Sequence, residues 1–247
     1  MTRKNKYKTV FLSDTHLGSR HCKAMHLLSF LKGMECEALY LVGDIFDIWA
    51  LESGKLHWKQ EHSEIIRRLI KISRKSNVYY IVGNHDAILR PYLNMNLGNI
   101  HIKNHHIHIT NQGKKFLVTH GDGFDRIIVK HQWLAKIGSK IYEKLIDINS
   151  LFNRLRHKLG FKYWSLSKYL KHTTKSITGI INSFENTLLS YAKQKGYDGV
   201  ICGHIHSPQA DRNRHYYNCG DWIESLSYLA EHYDGNIYQY NYIEKDI

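Results

Sequence analysis

A chain of 247 residues suits one large α/β domain, or one domain that carries an inserted subdomain. The hydrophobic content of 43% and the presence of only two prolines exclude extended disorder. The formal net charge of +13 favours an anionic partner. No segment approaches the roughly 20 apolar residues that span a bilayer, and no signal sequence is evident. The four cysteines show no close pairing and no CxxC motif, which together with the lack of a signal sequence indicates a reducing compartment. We therefore expect a cytoplasmic protein that contacts a membrane surface at most.

Five short apolar runs, rich in β-branched or aromatic residues, predict buried strands. They cover residues 9–13, 38–42, 78–82, 115–119 and 197–202, and each ends in a polar cluster. Apolar residues at helical spacing predict helices over residues 21–32 and 55–75. This alternation predicts an α/β fold, in which polar residues at the carboxyl ends of strands converge on one crevice.

The polar clusters supply two carboxylates, one amide and four imidazoles, namely Asp14, His16, Asp44, Asn84, His120, His204 and His206. Oxygen and nitrogen donors without thiolates suit Mn²⁺, Fe²⁺, Zn²⁺ or Mg²⁺ rather than a structural zinc. Seven ligands exceed the needs of one tetrahedral site, whereas two ions that share a carboxylate would use them all. Two such ions, about 3.5–4 Å apart, can clamp a phosphoryl group and activate water at neutral pH.

The motifs DxH, GDxxD, GNHD, HGD and GHxH follow the apolar runs in that order, between residues 14 and 206. As a set they resemble the calcineurin-like metallophosphoesterase family. The resemblance implies an α/β fold of two stacked mixed β-sheets flanked by helices, and a pair of divalent ions for which Mn²⁺ is the first choice. One ion would be held by Asp14, His16, Asp44 and His206, and the other by Asp44, Asn84, His120 and His204, with Asp44 bridging.

The resemblance also assigns catalytic roles to two residues that are not ligands. His85 is the expected general acid or phosphate-contacting imidazole. Asp47, the last residue of GDxxD, is expected to hydrogen-bond His85 and to fix its tautomer and charge. The alternative for Asp47 is a carboxylate that merely begins a helix.

A basic segment interrupts the alternation of strands and helices. Residues 126–175 contain twelve Lys or Arg against two acids, and so carry +10 of the total charge. An apolar stripe and many aromatic residues within it predict a helical cap, inserted at residues 126–195 into a single domain of residues 1–247. A basic segment of this kind is typical of a surface that faces nucleic acid, anionic lipid headgroups or a phosphorylated substrate. The alternative is a helical face that only contacts solvent.

The segments 43–49, 203–208 and 217–222, together with the aromatic insert, are similar to the UDP-2,3-diacylglucosamine pyrophosphatase group. The similarity implies cleavage of UDP-2,3-diacylglucosamine to UMP and 2,3-diacylglucosamine 1-phosphate (lipid X) in lipid A biosynthesis. It also implies a peripheral place on the cytoplasmic face of the inner membrane. We expect Trp49, Trp133, Arg156 and Trp164 to contact the substrate. One position departs from the group, because His85 stands where its pattern has arginine.

Two alternatives come from other functional classes. A nuclease or another phosphodiesterase of the family, acting on nucleic acid or nucleotides, would also explain a basic chain. Nucleic acid is the less favoured partner, because the charge lies in an amphipathic insert rather than in a stripe that tracks a groove. A non-catalytic metal-binding scaffold is the second alternative, although all seven ligand positions hold competent residue types. No feature indicates an obligate protein partner.

The remaining segments carry structural expectations only. His101, His105, His106 and His108 match no family motif, so we interpret them as surface loop and strand. Residues 215–218 and 237–240 predict strands that close a second sheet.

Overall fold

The computed structural model describes residues 4–124 and 175–242. The chain divides into two compact units, of which one comprises Met1–Asp122 with Leu188–Ile247 and the other Gly123–Thr187. Most of the predicted cap therefore lies outside the described residues, and so do Trp133, Arg156 and Trp164.

Two mixed β-sheets form the first unit. The described strands are β1 (Asn5–Leu12), β2 (Met34–Val42), β3 (Asn77–Ile81), β4 (Asn96–Leu97), β5 (Ile100–Lys103), β6 (His105–Ile109), β7 (Lys115–Thr119), β8 (Gly199–Cys202), β9 (Gln209–Asp211), β10 (Tyr216–Asn218), β11 (Ser227–Glu231) and β12 (Ile237–Asn241). One sheet has the order β12-β11-β1-β2-β3-β5-β4 and the other β6-β7-β8-β10-β9. The α/β fold that the sequence predicts is confirmed.

The described α-helices are α1 (Ala24–Gly33), α2 (Ile48–Glu52), α3 (Gln60–Ser73) and α4 (Lys175–Gln194), accompanied by short 3₁₀ helices at Ala87–Tyr92 and Asp122–Phe124. The apolar faces of α1 and α3 lie in one core cluster with one face of the larger sheet. This cluster contains Leu27, Leu31, Ile65 and Leu69, which confirms the helical periodicity of both segments.

The second core lies between the two sheets. Phe11, Tyr40 and Ile81 of the larger sheet cluster with Phe116 and Ile201 of the smaller one. All five side chains are almost completely buried. Close packing of this kind leaves little freedom for one sheet to shift against the other. The loops at the sheet edges therefore start from fixed positions.

The parallel strands of the larger sheet place their carboxyl ends side by side. Leu12 lies beside Leu41, and Val42 lies beside Ile81. In the smaller sheet, β7 and β8 are also parallel, with Val118 beside Ile201. Because the carboxyl ends of parallel neighbours share one edge, the polar loops that follow these strands are brought together.

The two C-terminal segments belong to different sheets. Residues 216–218 form β10 in the smaller sheet, as predicted. Residues 237–240 form a strand as predicted, but the predicted sheet was wrong, because β12 pairs antiparallel with β11 at the edge of the larger sheet. The reason is β11, a strand that the sequence pattern did not reveal, which is joined to β12 by a short turn and supplies its hydrogen-bond partners.

A buried polar link joins the two sheets. Glu231 on β11 accepts hydrogen bonds from His108 Nε2 on β6 (2.8 Å), from Thr9 Oγ1 (2.9 Å) and from Asn111 N (2.7 Å). The surface interpretation of the histidine-rich segment is thus wrong for His108, which is buried, although His105 is exposed on a strand as expected. Burial alone would raise the pKa of Glu231, yet these hydrogen bonds and the charge of His108 hold it below its ordinary value.

We expect Glu231→Gln to lower the free energy of unfolding by about 1–3 kcal/mol at pH 7, the contribution of hydrogen bonds to a charged group. A carboxyl with a depressed pKa stabilises the fold above its unfolded-state pKa and loses that effect as pH falls. The difference between variant and wild type should therefore shrink below about pH 4.5, measured by urea titration. Glu37→Gln, which removes an exposed carboxylate near Lys8, is the control and should cost less than about 1 kcal/mol. A difference that stays constant from pH 7 to pH 3 would contradict this account.

Candidate metal centre

The seven sequence-predicted ligands follow the ends of five strands, of which β1, β2 and β3 belong to the larger sheet and β7 and β8 to the smaller one. Five of them adopt positive φ, in the left-handed region that residues with a Cβ rarely occupy: Asp14 (51°), His16 (45°), Asp44 (54°), His204 (70°) and His206 (49°). Such conformations cost about 1–3 kcal/mol each and persist where the surrounding structure imposes them, commonly at functional sites. The sequence does not reveal these positive φ angles, yet these five residues are also motif residues.

One group of side chains consists of Asp14, His16 and His206, whose ligand atoms all lie within 4.8 Å of one another. Asp14 Oδ1 is 3.0 Å from His206 Nε2 and 3.8 Å from His16 Nε2. The other carboxylate oxygen accepts hydrogen bonds from Ser13 Oγ and from His204 N (3.0 Å). Asp14 is thereby fixed with Oδ1 facing the two imidazoles.

A second group consists of Asp44, His120 and His204, again with ligand atoms within 4.8 Å. His120 Nε2 is 3.3 Å from Asp44 Oδ2 and 3.2 Å from Asn84 Oδ1, so the amide belongs to this group as well. His120 Nδ1 donates to Val42 O (2.9 Å), which leaves the Nε2 lone pair for a ligand in the neutral ring. Asp44 is held through Oδ1, which accepts from His85 N (2.8 Å).

The electrostatics of the two groups fit cations. Burial would raise the pKa of Asp14, but the imidazoles of His206 and His120 hold it well below its usual range. Burial acts likewise on Asp44, and His120 lowers its pKa in spite of the nearby Asp14 carboxylate. The pKa of His120 is raised well above its ordinary value, because Asp44 and Asp14 outweigh the effect of burial. The imidazoles thus supply the positive charge that keeps both buried carboxylates ionised, a role that bound cations can take over.

One further observation supports a cation at the first group. His16 Nε2 is buried and has no hydrogen-bond partner among the described residues. A buried imidazole nitrogen without a hydrogen-bond partner costs free energy unless it binds a ligand or an ion. The donors are oxygens and imidazole nitrogens with no thiolate, a set that suits a pair of first-row divalent ions or Mg²⁺.

His85 and Asp47 lie beside these groups. Asp47 Oδ1 accepts from His85 Nδ1 at 3.1 Å, and the same oxygen accepts from Ala50 N at 3.0 Å. Asp47 therefore contacts His85 and also caps α2, so the two interpretations of this carboxylate hold together. The His85 ring lies edge-on to His16 with centroids 4.5 Å apart, and the Trp49 ring covers it at 3.9 Å. Trp49 is half exposed and so is accessible to a substrate.

Asp86 ties two ligand loops together, a role that the sequence did not suggest. Its buried carboxylate accepts from Gly83 N (2.6 Å), Ile45 N (2.9 Å) and the Tyr80 hydroxyl (2.5 Å). The two amides lie next to Asn84 and Asp44, so one side chain fixes the spacing of both loops. Its place as the last residue of the GNHD motif was the only sequence signal.

The loop after β3 approaches Asp44 so closely that only glycine fits at residue 83. A Cβ there would lie 2.2 Å from Asp44 Oδ1 and 2.5 Å from Asp44 N. We expect Gly83→Ala to displace Asp44, to destabilise the fold by about 1–3 kcal/mol and to weaken metal binding, measured by thermal unfolding with and without Mn²⁺. Gly33→Ala, with nothing within 4 Å of the added methyl, is the matched control and should be neutral or slightly stabilising. Equal effects of the two substitutions would contradict the packing argument.

Comparison with known proteins gives one family match and three similar relatives. A family profile described as "Calcineurin-like phosphoesterase" matches residues 7–208. A protein named "UDP-2,3-diacylglucosamine hydrolase" from Psychromonas ingrahamii is 25% identical over 240 residues, covering 90% of this chain and 92% of that protein. A protein with the same name from Shewanella loihica is 26% identical, over 90% of this chain and 91% of that protein. Another, from Porphyromonas gingivalis, is 33% identical, over 47% of this chain and 46% of that protein.

Proposed function

The chain belongs to the calcineurin-like phosphoesterase family, and from this premise we propose that it cleaves the pyrophosphate of UDP-2,3-diacylglucosamine. The products would be UMP and 2,3-diacylglucosamine 1-phosphate (lipid X), and the reaction would be a step of lipid A biosynthesis. The coarser statement, that the chain is a metallophosphoesterase, follows from the family and agrees with the two groups of candidate ligands. The finer statement is supported by relatives that carry this name and align with about 90% of the chain.

The observation that carries the proposal is the convergence of Asp14, Asp44 and His120, from three separate strand ends, into two adjoining ligand groups. We propose that Asp14, His16, Asp44 and His206 hold one divalent ion, and that Asp44, Asn84, His120 and His204 hold the other. Mn²⁺ is the first choice and Fe²⁺, Zn²⁺ and Mg²⁺ are alternatives. When bound, such a pair polarises a phosphoryl oxygen and lowers the pKa of the attacking water.

The residues beside the ligands supply the proton chemistry. With Nδ1 donating to Asp47, the His85 ring has Nε2 left to face the substrate. A water oxygen forms the new bond to phosphorus and releases a proton to solvent as the bridging P–O bond breaks, and the leaving phosphate oxygen takes a proton from His85 Nε2. Asp47 stabilises the protonated ring before transfer, and Trp49 restricts its rotation from the exposed side.

We extend the proposal to a peripheral place on the cytoplasmic face of the inner membrane. Residues 126–175 carry a net charge of +10, and each Lys or Arg near an anionic lipid surface contributes about 1 kcal/mol. The apolar stripe that the sequence predicts for this segment would hold acyl chains, with Trp133, Arg156 and Trp164 as substrate contacts. Across residues 4–124 and 175–242, no helix is both long and apolar enough to cross a bilayer.

The test is hydrolysis of UDP-2,3-diacylglucosamine by the purified chain with Mn²⁺, with products identified by mass spectrometry. Single-stranded DNA and bis(p-nitrophenyl) phosphate are assayed in parallel at the same ionic strength. Release of UMP and lipid X, without degradation of DNA, is the expected result. DNA degradation without release of lipid X would replace the proposal by a nuclease, and absence of turnover on all three substrates would favour a scaffold.

A further inference from the structure

An ion pair lies beside the ligand groups and has no part in the function proposed above. Arg90 Nη2 donates to Asp122 Oδ2 at 2.5 Å. The Arg90 side chain is 46% exposed, whereas that of Asp122 is 15% exposed. The carboxylate is therefore the fixed partner, and the guanidinium reaches from it toward solvent.

Both ends of this ion pair are anchored close to the ligands. Asp122 follows His120 by two residues, a reach of at most about 7 Å along the chain. Arg90 belongs to the 3₁₀ helix Ala87–Tyr92, which begins directly after Asp86. Leu89 N donates to Asp86 O (3.0 Å), and the Leu89 side chain packs against the core. The helix is thus tied to the backbone of Asp86, the residue whose carboxylate spaces the two ligand loops.

The chemistry of arginine suggests what the exposed part of the side chain does. A guanidinium has five N–H donors in a planar fork, and one carboxylate oxygen accepts from Nη2 here. The remaining donors match the oxygens of a phosphate group, to which arginine binds in a bidentate manner. Since an arginine is always charged, such a contact is available at every physiological pH.

A diphosphate substrate creates a need for such a cation. The two ligand groups can bind the phosphate that is attacked, but its neighbour carries charge of its own. We propose that Arg90, held by Asp122, binds this neighbouring phosphate and so makes the site prefer a phosphoanhydride to a phosphodiester with a single phosphate. The inference rests on the proposed function and adds a specificity-determining residue to it. Sequence motifs gave no signal for it, because Arg90 lies outside all five.

The test compares two substrates in three variants, Arg90→Ala, Arg90→Lys and Arg67→Ala. UDP-2,3-diacylglucosamine has two phosphates and bis(p-nitrophenyl) phosphate has one, and both are assayed with Mn²⁺ at fixed ionic strength. Arg67 is the matched control, because its exposed guanidinium pairs with Glu64 on α3. We expect Arg90→Ala to lower kcat/KM for the diphosphate about 10- to 100-fold, and to change the phosphodiester rate less than about threefold. Arg90→Lys should recover part of the loss, and Arg67→Ala should change neither rate.

Each other outcome overturns the inference. An equal loss on both substrates would mean that Arg90 supports the His120 loop without contacting the substrate. No loss on either would remove it from the site. If wild type hydrolyses the phosphodiester but no UDP-2,3-diacylglucosamine, the diphosphate preference fails while the phosphoesterase assignment stands. If wild type with Mn²⁺ hydrolyses neither, the proposed function itself fails, and the variants need not be measured to reject the inference.

Discussion

Replacing Asp44 by asparagine is expected to reduce turnover about 10³-fold or more and to remove at least one metal ion from the protein. Stabilisation of the transition state by bound metal contributes several kcal/mol, and each 1.4 kcal/mol is a factor of ten. Both Asp44 oxygens are committed, Oδ1 to His85 N at 2.8 Å and Oδ2 facing His120 Nε2 at 3.3 Å. An amide has the same shape but only one acceptor and no charge, so it cannot join the two ligand groups.

The measurement for Asp44→Asn is metal content by mass spectrometry together with the rate on bis(p-nitrophenyl) phosphate. Glu64→Gln is the control, because it removes one carboxylate from an exposed ion pair on α3 and should leave both readings unchanged. A variant that keeps two ions per chain and full turnover would show that Asp44 does not bridge them.

Replacing His85 by alanine is expected to keep the metal and to reduce turnover by about 10²–10⁴, the usual contribution of a general acid. The ring touches Asp47, His16 and Trp49 but is not one of the seven proposed ligands. Its removal leaves a space under Trp49 that added imidazole can enter. We therefore expect imidazole to restore part of the activity of His85→Ala. Turnover equal to that of wild type would exclude His85 from the mechanism.

Asp47→Asn separates the two contacts of Asp47. Asparagine is as good a helix cap as aspartate, so the hydrogen bond from Ala50 N and the start of α2 should survive. The charge that stabilises protonated His85 is lost, and we expect turnover to fall about 10- to 100-fold, as for other partners that orient an imidazole. A loss of stability with no loss of turnover would leave Asp47 as a cap alone.

The positions of the candidate ligands at strand ends could be predicted because their signal is local and repeated. Each ligand follows an apolar strand run directly, and parallel neighbours such as β2 and β3 bring those ends to one edge. The alternation of strands and helices also gave the α/β class, which does not depend on the order of strands in a sheet. The sheet predicted for residues 237–240 was wrong because β11, the strand that pairs with β12, has only five residues and no distinctive sequence pattern.

The side chains that surround the ligands could not be predicted in the same way. Asp86 is a motif residue, but its three hydrogen bonds come from segments whose spacing is set by the packed sheets. Trp49 is expected to contact substrate, yet its contact with the His85 ring depends on where α2 begins after the loop. His108 was interpreted as a surface residue because a single buried histidine has no pattern, and its partner is 123 positions away.

The sequence by itself determined the types and order of the candidate ligands and the strand that precedes each of them, since all of these are encoded within a few neighbouring residues. Only the tertiary structure decided which side chains hold, space and flank those ligands. The contact of Arg90 with Asp122, 32 positions apart, requires the loops after β3 and β7, strands of different sheets, to come together and two rotamers to match. Hydrophobic periodicity records burial, but it carries no information about which polar side chains will meet across a sheet edge.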